Sequence, residues 1–231
     1  MTSIFAHRGY HVDRPENSVS AVAAARDIGA DGVEIDVRLT ADKHLIVNHD
    51  RSINGHVIAA TGLSELSART AVAQLVDVIE AAGEMRINVE IKSTHSAPYN
   101  VAVARAVSEL LDESPASSRC LVSSFSLAIC DEVRRVAPER KVGWLVQRRP
   151  AQFVLDQVAR SHLTSAHFPF SRVNPSVAQR AARLGVELHA WTPNLRRDIN
   201  RMLELEVDAV ITDDVVLALE LRAECGRATE R

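Results

Sequence analysis

Short apolar runs alternate with helix-patterned stretches along the whole chain, and no other feature limits the fold so sharply. Ile4-Phe5-Ala6 reads as a first strand, after which Asn17 or Ser18 caps a helix carrying Val19, Val22 and Ala23. Val33 to Val37 reads as a second strand. Val72, Leu75, Val76 and Ile79 fall at i, i+3, i+4, i+7 and predict a helix. Ile87 to Ile91 follows as a third strand. Further strands are read at Leu121-Val122, Val142 to Val146, Ser165 to Phe168, Val186 to Trp191 and Asp208 to Thr212. A helical stripe follows each, and Gly185 is placed to end the helix through Val177, Ala181 and Leu184. Eight strand–helix rounds in 231 residues predict an α/β protein, one (β/α)8 TIM-barrel domain over residues 1–231. An open doubly wound sheet usually holds fewer units and needs edge strands. Leu45-Ile46-Val47 is an extra strand close behind the second. The connection through Thr40 to Lys43 is too short for a crossover helix, so this strand is expected in a β-hairpin arm.

Barrel enzymes place their chemistry at the C-terminal ends of the strands. The first strand runs out in His7 and Arg8, the hairpin arm in His49 and Asp50, the seventh strand in Trp191 and the eighth in Asp213. Residues two apart on a strand share a face. Glu34 and Asp36 therefore point one way and Val33, Ile35 and Val37 the other; Glu90 and Lys92 repeat the arrangement around Ile91. Both strands aim charge into the barrel, where unpaired charge is costly to bury. If the two strands are neighbours, three carboxylates converge, and they must take up protons or be neutralised by a cation. An all-oxygen set suits Mg²⁺ or Ca²⁺ rather than zinc. Two fixed cations and two histidines beside such a set point to phosphoryl chemistry. Arg8 can grip a phosphate and Lys92 can neutralise developing charge. One imidazole can take a proton from a nucleophile while the other protonates a leaving alkoxide.

Composition excludes other classes. A net charge of −3 and 46% hydrophobic residues describe no general nucleic-acid binder. No apolar stretch approaches the ~20 residues that span a bilayer, so no stable membrane association is expected. The three cysteines lack metal-like spacing and read as buried thiols of a reducing compartment. With no leader visible, a cytoplasmic location is the expectation. Of nine histidines, His11, His44, His56, His95 and His162 read as surface residues, and His167 and His189 as hydrogen-bonded core. Asn17 and Ser18 are accounted for as helix caps.

HRG (His7 to Gly9), PEN (Pro15 to Asn17), GADGVEIDV, HD (His49-Asp50) and EIK (Glu90 to Lys92), with weaker echoes in SSF (Ser123 to Phe125), AWTPN (Ala190 to Asn194) and ITDD (Ile211 to Asp214), resemble the glycerophosphodiester phosphodiesterase family over essentially the whole chain. Their order and spacing carry the resemblance more than any one triplet. It implies a barrel that hydrolyses glycerophosphodiesters to sn-glycerol 3-phosphate and an alcohol with one divalent cation. It implies Glu34, Asp36 and Glu90 as metal ligands, His7 and His49 as the acid–base pair, and Arg8 and Lys92 as phosphate contacts. Glu16 matches the acidic residue of the PEN motif, where it would hold Arg8 or the metal site, and Trp191 an aromatic wall beside the glycerol; Phe125 reads as a second pocket wall. Family members commonly carry a subdomain between HD and EIK. Here only Ser52 to Ser64 is left for a cap, which predicts a more open site. Direct attack by water and attack by a substrate hydroxyl to give a cyclic phosphate, the outcome of a phospholipase-type lyase, remain alternatives. Carboxylates around Lys92 would keep it protonated, which argues against Schiff-base chemistry. Mere phosphate binding would not require two proton carriers.

Overall fold

Every residue of β2 (Gly32–Leu39) is buried, yet its two faces meet different surroundings. Val33, Ile35 and Val37 lie in the main apolar core under the helices, while Glu34 and Asp36 face inward. That core joins the strands' outer faces to the helices. It forms because each crossover helix turns one apolar stripe toward the sheet.

The computed structural model describes residues 1–229, with side chains through Arg227. Its elements are, in order, β1 (Ser3–His7), α1 (Val19–Asp27), β2, β3 (Leu45–Val47), β4 (Ser52–Ile53), β5 (His56–Val57), α2 (Leu63–Ser67), α3 (Leu75–Ala82), β6 (Arg86–Ile91), α4 (Ala97–Glu113), β7 (Cys120–Ser124) and α5 (Leu127–Val136). There follow β8 (Lys141–Leu145), α6 (Ala151–Arg160), β9 (Ser165–Pro169), α7 (Pro175–Leu184), β10 (Glu187–Trp191), α8 (Arg196–Glu204), β11 (Ala209–Thr212) and α9 (Val215–Thr229). Parallel pairing runs β1-β11-β10-β9-β8-β7-β6-β2 and returns to β1, which closes an eight-stranded barrel. β3 pairs antiparallel with β2, Val37 opposite Val47, as the hairpin arm. The register sets His7 beside Glu34 and Asp36 beside Glu90, so strand-end residues from β1, β2 and β6 share one level.

Three expectations are corrected. Ser18, not Asn17, caps α1, its side chain accepting from the Ala21 N–H. α3 begins only at Leu75; Val72 packs instead in a separate apolar cluster with Ile46, Ile58 and Leu66. The chain at 73 and 74 runs extended against β3, where the Val47 N–H donates to the Ala73 carbonyl at 2.9 Å. The helical spacing at Val72 was thus coincidental, and Val76, on the same supposed stripe, is 54% exposed. Cys120 and Cys130 are buried as expected, but Cys225 is exposed. Gly185 does end α7, in the left-handed conformation at φ 66°.

The barrel interior is unusually polar. Asn88, Ser123, Ser165 and His167 are all buried there. Glycines let this interior close: a Cβ at Gly143 would come within 2.4 Å of His167 Nε2 and 2.5 Å of Ser165 Oγ, and one at Gly32 within 2.4 Å of the Phe5 ring. Between His49 and β6 the chain builds only the β4–β5 hairpin, one 3₁₀ turn and the two short helices, so the cap is small. No helix of the described residues is long and apolar enough to cross a membrane.

Because Ile35 is fully buried among helix-facing residues, Ile35→Ala is expected to cost about 2–5 kcal/mol of unfolding free energy, read from urea denaturation. A loss below about 1 kcal/mol would contradict the outward packing of β2.

Candidate active site

β2 and β6 supply the acidic centre. Glu34, Asp36 and Glu90 are 4%, 1% and 6% exposed, and one oxygen from each lies within 4.8 Å of the others. At that separation two ionised carboxylates repel by about 3.5 kcal/mol at an effective dielectric of about 20. Compensation is unequal. Lys92 follows β6, and its Nζ bridges Asp36 Oδ1 at 2.7 Å and Glu90 Oε1 at 2.6 Å. Arg8 Nε lies 3.2 Å from Asp36 Oδ2, and Nη1 donates to Glu16 Oε1 at 2.8 Å. Glu34 receives only a long bond from the Arg8 backbone N–H, 3.3 Å, and among the described residues no lysine or arginine pairs with it. Burial, then the charges of Asp36 and Glu90, push the Glu34 carboxyl well above its ordinary range. Burial also raises Glu90, against the pull of Lys92. Burial works the same way on Asp36, but Lys92, Asn17 and Arg8 outweigh it and hold Asp36 below its usual range.

The set therefore fits a hard divalent cation: three buried oxygen donors, one of them without a positive partner. Which ion it would be does not follow from the donors.

Asn17, explained by sequence as a cap, belongs to this site. It is buried, its Nδ2 donates to Asp36 Oδ2 at 2.8 Å and its Oδ1 accepts from the Asp36 N–H at 3.1 Å. This two-point clamp fixes the Asp36 rotamer. Arg8 and Asn17 both sit at positive φ, 57° and 55°, and the Asn17 N–H donates to the Arg8 carbonyl at 2.9 Å. Left-handed backbone in a non-glycine residue is held by such surrounding bonds. Gly9, at φ 85°, lets the turn pass α1, where a Cβ would meet the Ala21 backbone at 2.7 Å.

The two histidines enter from different elements. His7 ends β1. Its Nδ1 donates to Asp213 Oδ1 at 2.7 Å, which leaves Nε2 facing the acidic centre, 3.9 Å from Glu34 Oε2. Asp213, just beyond β11, also accepts from Asn194 Nδ2 at 2.6 Å and lies 3.4 Å from His11 Nε2. Burial would raise Asp213, but the bond and charge of His7, then Asn194 and His11, bring it down to about 2. His11, read as a surface residue, is thus half-buried at the barrel mouth. His49 sits beyond the hairpin arm. Arg38 donates to its carbonyl, Nη2 at 2.6 Å and Nε at 3.1 Å, and so braces the arm. Its Nδ1 lies 3.0 Å from Asp50 Oδ1.

His7, His49, Arg8, Lys92, Glu34 and Glu90 line one cavity of ≈ 210 Å³, walled on its far side by Phe125 and Trp191. Those two rings meet edge to face, 5.8 Å apart at 84°. The structure brings every sequence-nominated residue together: His7, His49, Arg8, Lys92, Phe125, Trp191, Glu34 and Glu90 on the cavity, with Asp36 beneath it and Glu16 on Arg8. Sequence reading passed over Asn17, Asn194 and His11 and gave Asp213 no role. For Asp213, its place at the end of the eighth strand was the available signal.

A family model described as the Glycerophosphoryl diester phosphodiesterase family matches residues 7–217. A glycerophosphodiester phosphodiesterase of Caldanaerobacter subterraneus subsp. tengcongensis is 31% identical over 235 residues, which cover 92% of this chain and 94% of the relative. The crystal structure of a glycerophosphodiester phosphodiesterase from Parabacteroides distasonis superposes with a TM-score of 0.89 at 25% identity, covering 97% of this chain and 98% of that one. An Oleispira antarctica phosphodiesterase, solved in complex with the product sn-glycerol-3-phosphate, shares the fold at a TM-score of 0.86 and 22% identity, covering 96% of each chain.

The raised Glu34 pKa fixes a sign. A carboxyl whose folded pKa exceeds its unfolded value, 4.5, contributes stability below pH 4.5 that is lost as pH rises through the folded pKa. Cation-free Glu34→Gln protein is therefore expected to unfold at higher urea than the parent at pH 8, the gap closing by pH 4. A parent that is the more stable at pH 8 would refute the uncompensated burial of Glu34.

Proposed function

We propose that this chain, which belongs to the glycerophosphoryl diester phosphodiesterase family and is a phosphoric diester hydrolase, cleaves glycerophosphodiesters to sn-glycerol 3-phosphate and an alcohol with two histidine proton carriers and one divalent cation. The observation that carries the reading is a single cavity bounded by both imidazoles and by the buried carboxylates. Glu34, Asp36 and Glu90 would hold the cation. When bound, Mg²⁺ or Ca²⁺ supplies Lewis-acid neutralisation of charge on the phosphoryl oxygens.

The remaining work falls to side chains. Arg8 and Lys92 hold the diester phosphate; both are positioned by carboxylates, Arg8 by Glu16 and Lys92 by Asp36 and Glu90. Trp191 and Phe125 form the wall against which the carbon face of a glycerol packs. His7 takes a proton at Nε2 from the nucleophile, and Asp213 stabilises the imidazolium that results, as in other carboxylate–histidine pairs. His49 borders both the small cavity and a larger groove outside it. That position supports a role between the phosphate and a leaving alcohol, to which His49 gives its proton as the P–O bond breaks. The nucleophile is water or the glycerol 2-hydroxyl; the residues serve either, and in the second case His49 takes back a proton from water to open the cyclic ester. The buried thiols of Cys120 and Cys130, pushed up to about 11 and about 12 by burial, are inert and agree with a cytoplasmic setting.

Chelator is expected to abolish turnover of glycerophosphoglycerol, and added Mg²⁺ or Ca²⁺ to restore it. His7→Ala and His49→Ala should each lower kcat by roughly 10²–10⁴-fold while calorimetry still detects cation binding; near-parental rates in either variant exclude it as a proton carrier. Asp213→Asn should lower kcat by at least tenfold with KM little changed, since it acts through His7 rather than on substrate.

A further inference from the structure

The groove outside the catalytic cavity has a charge pattern that the hydrolysis itself does not require. It encloses ≈ 740 Å³ and shares His49, Glu90, Lys92 and Phe125 with the smaller cavity. From there it runs outward between the short cap, at Val57 to Ala59, and the segment leading into α4, at Ser93 to Ser96. In the hydrolase reading, a substrate whose phosphate lies between the histidines would extend its alcohol along this path.

Two arginines on the groove, Arg38 and Arg51, make no direct ion pair with a carboxylate among the described residues. Arg38 is 9% exposed. Its Nε and Nη2 donate only to the Asn48 and His49 carbonyls, and its Nη1 hydrogens bond nothing among the described residues. Burial lowers its pKa, outweighing the more distant charges of Tyr99, Asp36, Glu90 and Asp50, so the guanidinium carries a desolvation cost that these groups offset only in part. Arg51, which also lines the groove, makes no side-chain hydrogen bond or ion pair among the described residues. α4 adds to them: its N-terminus, capped by Ser96, opens toward the groove, and its first turn contains no acidic residue. Of the two acids lining the groove, Glu90 is paired with Lys92, while Asp50, 79% exposed, points one oxygen at His49 Nδ1 and the rest of its carboxylate to solvent. A cationic alcohol would meet Arg38, Arg51 and Lys92 on the groove against the carboxylates of Asp50 and Glu90, and only two phenyl-type rings, Phe125 and Tyr99, rather than an aromatic box.

Resting on the hydrolase reading above, we propose that this groove is a leaving-alcohol subsite selective for alcohols that carry their own anionic group, a phosphate or carboxylate, and that Arg51 with Arg38 is its specificity determinant. The anion would accept from Arg51 and the free Nη1 of Arg38 at the α4 N-terminus. Cleavage then forms one P–O bond to the nucleophile and breaks one to the alcohol, which leaves with the proton from His49.

The test compares three substrates on one enzyme preparation with Mg²⁺ present: glycerophosphocholine, glycerophosphoglycerol, and the diester whose alcohol is glycerol phosphate. The expected order of kcat/KM is anionic, then neutral, then cationic, with the anionic diester at least tenfold above the choline diester at low salt and the gap shrinking as salt screens it. Arg51→Glu should reduce that ratio at least tenfold; a ratio on one preparation does not depend on how much of the variant folds. Equal kcat/KM for the anionic and choline diesters, or a ratio untouched by Arg51→Glu, overturns the proposal. If none of the three is cleaved, the hydrolase reading fails on its own. Calorimetric binding of the anionic diester still decides the subsite: at least tenfold weaker binding by Arg51→Glu supports it, and unchanged binding refutes it.

Discussion

Three carboxylates enclosed by a barrel wall are the constraint around which this molecule is arranged. Bulky aliphatics usually fill the interior of such barrels. Here Glu34, Asp36 and Glu90 take those positions at near-complete burial, and much of the surrounding structure answers them. Lys92 bridges two of the acids, Arg8 approaches one, and Asn17 clamps the same one from two sides. The left-handed backbone at Arg8 and Asn17 is a conformational cost accepted at the turn that delivers both side chains. The least compensated is Glu34, which no lysine or arginine among the described residues pairs with directly and which Lys92 and Arg8 reach only at a distance. A folded protein that leaves one buried acid without a cation is poised to bind one, since binding relieves a penalty already present.

The same arrangement explains why the outer core is so regular. Each barrel strand at the site alternates between a residue that serves the interior and one that serves the helices, so a polar inner face and an apolar outer face come from a single stretch of chain. The unbroken apolar layer of Val33, Ile35, Val37, Val89 and Ile91 supplies burial that holds the charged face in place. The interior below the site is also polar, and Gly143 is needed to make room for His167 and Ser165. Stability comes from the sheet–helix layer and chemistry from the barrel mouth, and β2 and β6 belong to both.

The two histidines differ in how they are held. His7 ends a barrel strand and is anchored through Asp213 from the opposite end of the sequence; closure of β1 against β11 brings them together. His49 rides on the hairpin arm, braced through backbone carbonyls by Arg38. With only a small cap above it, His49 stands between the small cavity and the outer groove and lines both.

Periodicity pointed to the barrel and to the inward direction of Glu34, Asp36 and Glu90, and the short connection at Thr40 to Lys43 to the hairpin arm, because alternation, helical spacing and loop length are local properties. The strand-end motifs likewise named His7, His49, Arg8 and Lys92 before any fold was in view. Local reasoning failed where a residue had one sufficient nearby explanation and a distant partner: Asn17 looked like a cap, His11 like surface, and Val72 like one more helical residue. Asp213 joins His7 across 206 positions, and no spacing rule reaches that far. Which acid lacks a cation, and which groove carries unpaired arginines, are sums over neighbours from many strands. Only closure of the barrel, which sets those neighbours within a few ångströms in a poorly screened interior, decides them.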